Sequence, residues 1–515
     1  MARAITKAPP SVGRSRTVHV EAQLAQDRRR AQTVYASVLV LTVVTAGVGY
    51  VRAPEPFPIA LLALLLGCTA AFLRPAVGVY LLVFFTMVGD SVTMPWWPFT
   101  KNMSSRESML FVNDQFILNP LEVLAGVTLA AYLMQRLESR TWQFKRGRML
   151  NPLIVVTFFI FFGFVHGYVT GGDLRVALFE ARPLLYIVIT YVLVTNLLST
   201  RRQYARLVMT AMVAVSIQSI FSLFYYLDIP AEERADLESL SEHAATVAMN
   251  ALFVLLLCAV ALRCSRWLRW TTFLLAVPVA VAYVLSQRRA AMVALAFGVI
   301  FVLAVLYQRR RRAFWFVTPT LVVLTTGFVL ATWNARGAIG LPASAAKTVL
   351  FPDQLAEADS GSDLYRRMEA FNLQHTIRSY RLFGRGFGQE FLRPVTMPDI
   401  SFFEFWKFIP HNNVLWLWVK LGFFGFAAVM YTFGRAIQLG ARSLTLLRSS
   451  DHVAFALVGV SYVAMFLVFS YVDIAYSARC TVFLAVCMAL SADFVQAYDI
   501  DAENRRQPRF EMVPQ

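Results

Sequence analysis

The chain has 515 residues, of which 58% are hydrophobic and only 15% charged. Soluble chains are about 45–50% apolar and about 25% charged, so the composition excludes a string of soluble domains and predicts an integral membrane protein. Five cysteines are too few for a disulfide framework. The 48 basic against 31 acidic residues, a net +17, record orientation in such a chain before they argue for nucleic acid.

A membrane-crossing helix needs about 20 apolar residues for roughly 30 Å of hydrocarbon. In chain order, fourteen stretches meet that description: 34–51, 57–73, 76–94, 118–135, 151–169, 183–198, 205–227, 243–262, 268–286, 289–307, 314–333, 412–433, 453–471 and 476–497. Several abut closely enough to be half-helices. The expected fold is an all-α polytopic membrane protein of about 12–14 transmembrane helices with one long extracytoplasmic loop carrying short helices. Its parts are a basic tail over 1–33, helices with short loops over 34–333, the long loop over 334–411, three last helices over 412–497 and a tail over 498–515. The polar first 33 residues end in Arg28-Arg29-Arg30, and no signal peptide is expected there.

Loop charge sets the orientation. Arg136, Arg140, Lys145, Arg146 and Arg148 fall on one side of the membrane, with Arg201, Arg202, Arg206, Arg263, Arg266 and Arg269. The run Arg309–Arg312, Arg435, Arg442, Arg448, Arg505, Arg506 and Arg509 falls there too. The loop 228–242 on the other side is acidic. The positive-inside rule then predicts that both termini are cytoplasmic. Most of the positive charge becomes an inner-face signal, so nucleic acid is not expected as a partner, and the run 309–312 reads as an anchor facing anionic lipid. The carboxylates of 228–242 read as a solvated loop. All five cysteines fall in or beside apolar spans and read as packing residues.

The informative cations are those on the translocated side. Arg288 and Arg289 occupy a short turn between two spans, and Arg175 and Arg182 flank another outer segment, on one face if it is helical. A helix-like stretch from Asp363 to Arg381 carries Arg366, Arg367, Arg378 and Arg381, and Gly384-Arg385-Gly386-Phe387-Gly388 follows. Glycines there permit positive φ and close backbone approach. Ionisable groups at membrane depth are paired or functional, and the guanidinium fork suits phosphate. Among six histidines, His411 opens a span in the sequence Pro410-His411-Asn412-Asn413.

His411-Asn412, nine further residues, then Gly422-Phe423-Phe424-Gly425 resemble the signature of the O-antigen ligase and O-antigen polymerase superfamily, in its ligase spacing. Arg381-Leu382-Phe383-Gly384-Arg385-Gly386-Phe387-Gly388 is similar to that family's glycine-rich element, with Arg381 in place of the usual proline. Leu285-Ser286-Gln287-Arg288-Arg289-Ala290 is similar to its Ser-Arg-Gly turn. Arg366 or Arg367 matches an arginine of its loop helix. The resemblance covers roughly 270–435 in detail.

The resemblance implies a glycosyltransferase at the outer face of the bacterial cytoplasmic membrane. The donor would be a saccharide on undecaprenyl diphosphate, and the acceptor a hydroxyl of a glycan, glycolipid or protein. His411 and Arg289 would be catalytic. Arg288, Arg366, Arg367, Arg175 and Arg182 would bind the donor diphosphate. Asn412, Asp473, Gly384 and Gly386 would support them, with Asp473 orienting His411. No metal or other cofactor is expected. Lys420 is expected to pair with Glu122 inside the bundle. Ligase and polymerase share these elements, so the acceptor stays open. A flippase of lipid-linked oligosaccharide predicts ionisable groups near midplane and inverted repeats. The spans are nearly charge-free, which favours an enzyme, and a pure scaffold leaves His411 and the arginines unexplained.

Overall fold

The computed structural model describes residues 57–138, 144–234, 239–335, 337–351, 357–400 and 403–499. The expected first span, the 1–33 tail, Arg140, Asp236, Glu238, Arg505, Arg506 and Arg509 lie outside the described residues. The described helices run α1 (Phe57–Leu73), α2 (Pro75–Val88), α3 (Pro120–Glu138), α4 (Leu150–Val169) and α5 (Leu174–Leu197). After α6 (Arg201–Asp228) come a short turn of helix, α7 (Ala245–Ala261), α8 (Arg266–Leu285), α9 (Arg289–Arg309) and α10 (Arg311–Ala331). The last are α11 (Gly337–Leu350), α12 (Glu357–Ser379), α13 (Asn413–Leu446), α14 (Ser450–Val472) and α15 (Ala478–Asp493). Each apolar stretch expected between 57 and 497 coincides with one of these helices. Eight are long and apolar enough to cross a membrane, and α1, α2 and α7 are shorter apolar helices. The chain is an all-α polytopic membrane protein.

Helix starts follow capping chemistry. Asp173 accepts from the Val176 N–H, so α5 begins at Leu174 rather than at 183 and takes Arg175 and Arg182 into its first turns. Thr200 and Gln203 form a reciprocal capping box at α6, and the Asn412 side chain accepts from Leu415 N–H at α13. Helix α13 continues to Leu446, past the expected end at 433, with one break at Gly422, where φ is 69°. Its far half packs closely, since a Cβ on Gly440 would meet the Val460 side chain at 2.1 Å.

Burial sorts the helices into layers. α14 and α15 are buried almost throughout and form the centre, packed against α5, α7, α9 and α13. α10 has no buried residue, and its exposed Trp315, Phe316, Val323 and Leu324 suit a lipid-facing surface. At the end opposite His411, Arg309 donates to the Leu444 and Leu447 carbonyls and Arg310 to the Ala261 carbonyl at 3.2 Å. Half of the arginine run expected to face lipid is therefore turned inward, where it satisfies the orphan carbonyls of two helix C-termini.

The glycine-rich element is a staple between helices. Gly384, Gly386 and Gly388 all have positive φ, at 71°, 82° and 78°. A Cβ at Gly386 would stand 2.4 Å from the Gly167 Cα, and one at Gly388 2.4 Å from the Asp173 carbonyl oxygen. The loop N–H groups are spent within the protein: Arg385 on the Val419 carbonyl, Phe387 on that of Gly163, and Gly388 on the Glu180 carboxylate. Glu180 in turn lies 2.8 Å from Lys420 and accepts from the Trp416 indole at 3.2 Å. The expected partner of Lys420 was Glu122. Glu122 is instead taken by Arg182 at 2.8 Å, because α5 brings Glu180 and Arg182 to two different neighbours.

Candidate functional site

Helix α12 carries Asp363, Arg366 and Glu369 at three-residue spacing, which places them along one face. Glu369, almost wholly buried, faces the start of α13: its Oε2 accepts the His411 backbone N–H at 2.8 Å and its Oε1 lies 3.3 Å from His411 Nδ1. Asn412 caps the helix and Asn413 donates to the Pro410 carbonyl, so the backbone on both sides of His411 is fixed. A buried carboxylate on Nδ1 favours the tautomer with its proton there and leaves Nε2 as an acceptor. Tyr365 packs edge-on against the His411 ring, with centroids 5.7 Å apart.

Asp473 does not orient His411. At the C-cap of α14 it lies 2.7 Å from His243 Nδ1, and the two histidine rings stand 6.5 Å apart. The expected role of Asp473 is performed by Glu369, and Asp473 performs it for a second imidazole. Burial pushes the Asp473 carboxyl up, but the charge and hydrogen bond of His243, with the charges of Arg288 and Arg366, hold it below the usual carboxylate range. The four groups therefore share one small volume at one end of the bundle.

Cations complete it. Arg289, the first residue of α9, and Arg366 both reach Asp363 Oδ1, at 3.3 and 3.4 Å. Arg288 donates to Ser239 Oγ at 3.2 Å. Asp363 thus bridges the two guanidiniums through one carboxylate oxygen. Arg366 Nε and the Tyr365 hydroxyl are buried without a hydrogen-bond partner among the described residues. Unpaired buried donors are costly, so these two are open to a hydrogen-bond acceptor. Burial, reinforced by the Glu369 charge, pushes the Tyr365 phenol up to about 12, with Arg393 opposing, so it stays a donor at working pH.

The other expected residues fall elsewhere. Arg367 is exposed on the outer side of α12, so of the pair it is Arg366 that joins the cluster. Arg175 is exposed at the start of α5. Arg182 is committed to the segment before α3, bonding Asn102 and the Ile117 carbonyl as well as Glu122. Gly384 and Gly386 act on the packing of α4 and α13, not on the His411 cluster directly. Glu242 is not a solvated loop charge. Its backbone N–H donates to Asp90 at 3.2 Å, and Asp90 lies 3.3 Å from Arg479. Burial raises the Glu242 carboxyl, against the pull of Arg479 and with the push of Asp90. This buried network supports the turn that presents His243. Among the described residues no three His, Cys, Asp or Glu side chains are grouped as a metal would require.

Glu369, Asp363, Tyr365 and His243 are the residues that sequence reasoning missed as site members. For the first two the signal was available: a carboxylate three residues on either side of Arg366 is a one-face arrangement. His243 carried no local signal, since its partner lies 230 residues away.

Fold and site together define a polytopic membrane protein with a carboxylate-backed imidazole beside an arginine cluster at one end of its bundle. Residues 274–430, which hold Arg288, Arg289, Arg366, Glu369 and His411, match the family model described as O-antigen ligase. The matched stretch is similar to the O-antigen ligase family and supports the O-antigen ligase/polymerase superfamily. Comparison with curated proteins returns no match.

Proposed function

We propose that the protein transfers a saccharide from undecaprenyl diphosphate to an acceptor hydroxyl at the outer face of a bacterial cytoplasmic membrane, by single displacement with inversion. The observation that carries the reading is the pairing of His411 with buried Glu369 beside Arg289 and Arg366. As the acceptor oxygen attacks the anomeric carbon, its proton passes to His411 Nε2. The new bond forms from acceptor oxygen to that carbon, and the bond from it to the diphosphate oxygen breaks. A positioned base is worth about 10²–10⁴-fold. The leaving diphosphate gains negative charge, which Arg289, Arg366 and Arg288 stabilise as fixed cations. Arg175, Arg367 and Arg182 are left to outer-rim or structural roles. The His-Asn-x9-Gly-x-x-Gly spacing favours a ligase over a polymerase of lipid-linked repeat units.

The test uses the purified full chain in detergent with an undecaprenyl-diphosphate oligosaccharide, following released undecaprenyl diphosphate and glycan size. A ligase releases diphosphate only after an acceptor is added, and His411→Ala lowers that release about 10²–10⁴-fold. A glycan ladder from donor alone makes it a polymerase. Donor crossing liposomes without any release would overturn the enzyme reading in favour of a flippase.

A further inference from the structure

A second cationic cleft lies away from His411, and nothing in the transfer reaction uses it. It has a volume of about 570 Å³ and is lined by His166 of α4 and by Arg378, Arg381, Leu382, Phe383 and Arg385. Arg378 lies nine residues beyond Glu369 in the same helix, which at 1.5 Å rise per residue is about 13 Å along the axis. The cleft is thus a separate place on the same end of the molecule.

We propose that this cleft holds the phosphate headgroup of a membrane lipid, whose chain lies against Leu382, Phe383 and Phe424. Charge is the first argument. Three arginines elsewhere at this end meet carboxylates: Arg182 with Glu122, Arg106 with Asp114, Arg393 with Glu390. Among the described residues Arg378, Arg381 and Arg385 have no such partner. Arg385 is held over the Tyr380 ring at 5.1 Å, a position that keeps its charge and fixes its plane. Three arginines lining one cleft make it positively charged, and phosphate fits the guanidinium fork.

Apolar exposure is the second argument. Leu382 and Phe383 are 51% and 57% exposed although they sit between Arg381 and Gly384. Phe423 of α13, whose N–H donates to the Leu382 carbonyl, and the adjoining Phe424 are exposed as well. Phe383 lies 5.9 Å from Phe162, which stacks in parallel on His166 at 5.8 Å. The cleft therefore opens onto the apolar flank of two membrane-crossing helices. A free phosphate ion has no use for that flank, whereas a lipid uses both parts. The glycine staple fixes the geometry, because Gly384 and Gly386 lock the loop to α13 and α4. Arg381 also stands where the resembled glycine-rich element has proline, so this cation is a departure of this chain.

The experiment uses the purified full chain and a phosphatidic acid with a photoreactive tail, its cross-links mapped by peptide mass spectrometry. Diacylglycerol with the same tail is the second probe, and inorganic phosphate the competitor. Phosphatidic acid should label segments 158–170 and 378–389, and Arg378→Gln with Arg381→Gln should lower that labelling about tenfold. The pair Arg442→Gln with Arg448→Gln, exposed arginines at the other end, should leave it unchanged. Both altered pairs are exposed, and an unchanged melting temperature verifies the fold. Equal labelling by diacylglycerol, or undiminished labelling of the Arg378/Arg381 variant, would overturn the proposal. Competition by inorganic phosphate at concentrations similar to the lipid would also overturn it, making the cleft a free-anion site. The readout involves no glycan transfer, so its failure and that of the transfer reading are separate events.

Discussion

Lys420 and His411 sit nine residues apart at the head of the same helix, and each faces a buried glutamate, yet their surroundings differ in kind. Lys420 and Glu180 are wholly buried, 2.8 Å apart, and fully engaged: Glu180 also accepts from Gly388 and Trp416, and Lys420 donates to the Gln389 carbonyl. His411 and Glu369 lie at 3.3 Å beside a hydroxyl and a guanidinium nitrogen that have no hydrogen-bond partner among the described residues. A charge pair held by several further protein donors and acceptors fixes an architecture. One left with unmet donors around it is arranged for something that arrives.

The largest expected effect breaks the first pair. Lys420→Met leaves Glu180 buried and unpaired, at a cost of about 3–5 kcal/mol, which should appear as a large loss of melting temperature and of monodisperse protein. Adding Glu180→Gln should recover much of it, because the uncompensated charge is gone. If Lys420→Met melts normally but loses transfer, Lys420 belongs to the chemistry and the contrast with His411 fails.

Gly386→Ala tests the staple that joins the two regions. Its φ of 82° is strained for alanine, and the new Cβ would meet the Gly167 backbone at 2.4 Å. A cost of about 1–3 kcal/mol from conformation alone, with the clash added, should lower stability and weaken the packing of α4 on the loop. Gly361→Ala, with nothing within 4 Å of its Cβ position, should do neither, by the same thermal measurement.

Much of the architecture is legible in the sequence, for reasons that differ by element. The spans were legible because bilayer thickness imposes a length and an apolar run that no tertiary contact can override. His411, Arg289 and the glycine spacing were legible because a local pattern carried them. Pairings were not. Lys420 with Glu180 and His243 with Asp473 join residues 240 and 230 apart, and one sequence offers several acidic candidates for each. Asp473 pairs with His243 and not with the expected His411 for that reason: both imidazoles are at hand, and only the packing of α12 on α13 assigns Glu369 to His411.

His243 sharpens the comparison inside the site. It is the second imidazole with a buried carboxylate on Nδ1, and its ring is 6.5 Å from that of His411. If it positions substrate and does not take the proton, His243→Gln should raise KM about tenfold, with kcat within a few fold. His411→Gln should do the reverse. A kcat loss of 10²-fold or more from His243→Gln would exchange the two roles.

The last contrast is a pH dependence at Asp473. Its carboxyl is held below the ordinary value, and the unfolded value is about 3.9. A depressed folded pKa contributes stability that is present above the unfolded pKa and is lost as pH falls through the folded one. Asp473→Asn removes that contribution, about 1.5–3 kcal/mol for a hydrogen bond to a charged group. Wild type should therefore melt higher than Asp473→Asn at pH 7 and at pH 5.5, and the gap should narrow as the pH is lowered beneath about 4. A gap that stayed constant down to pH 3 would mean that Asp473 acts through packing at the α14 C-cap, leaving the orientation of His243 to its neighbours.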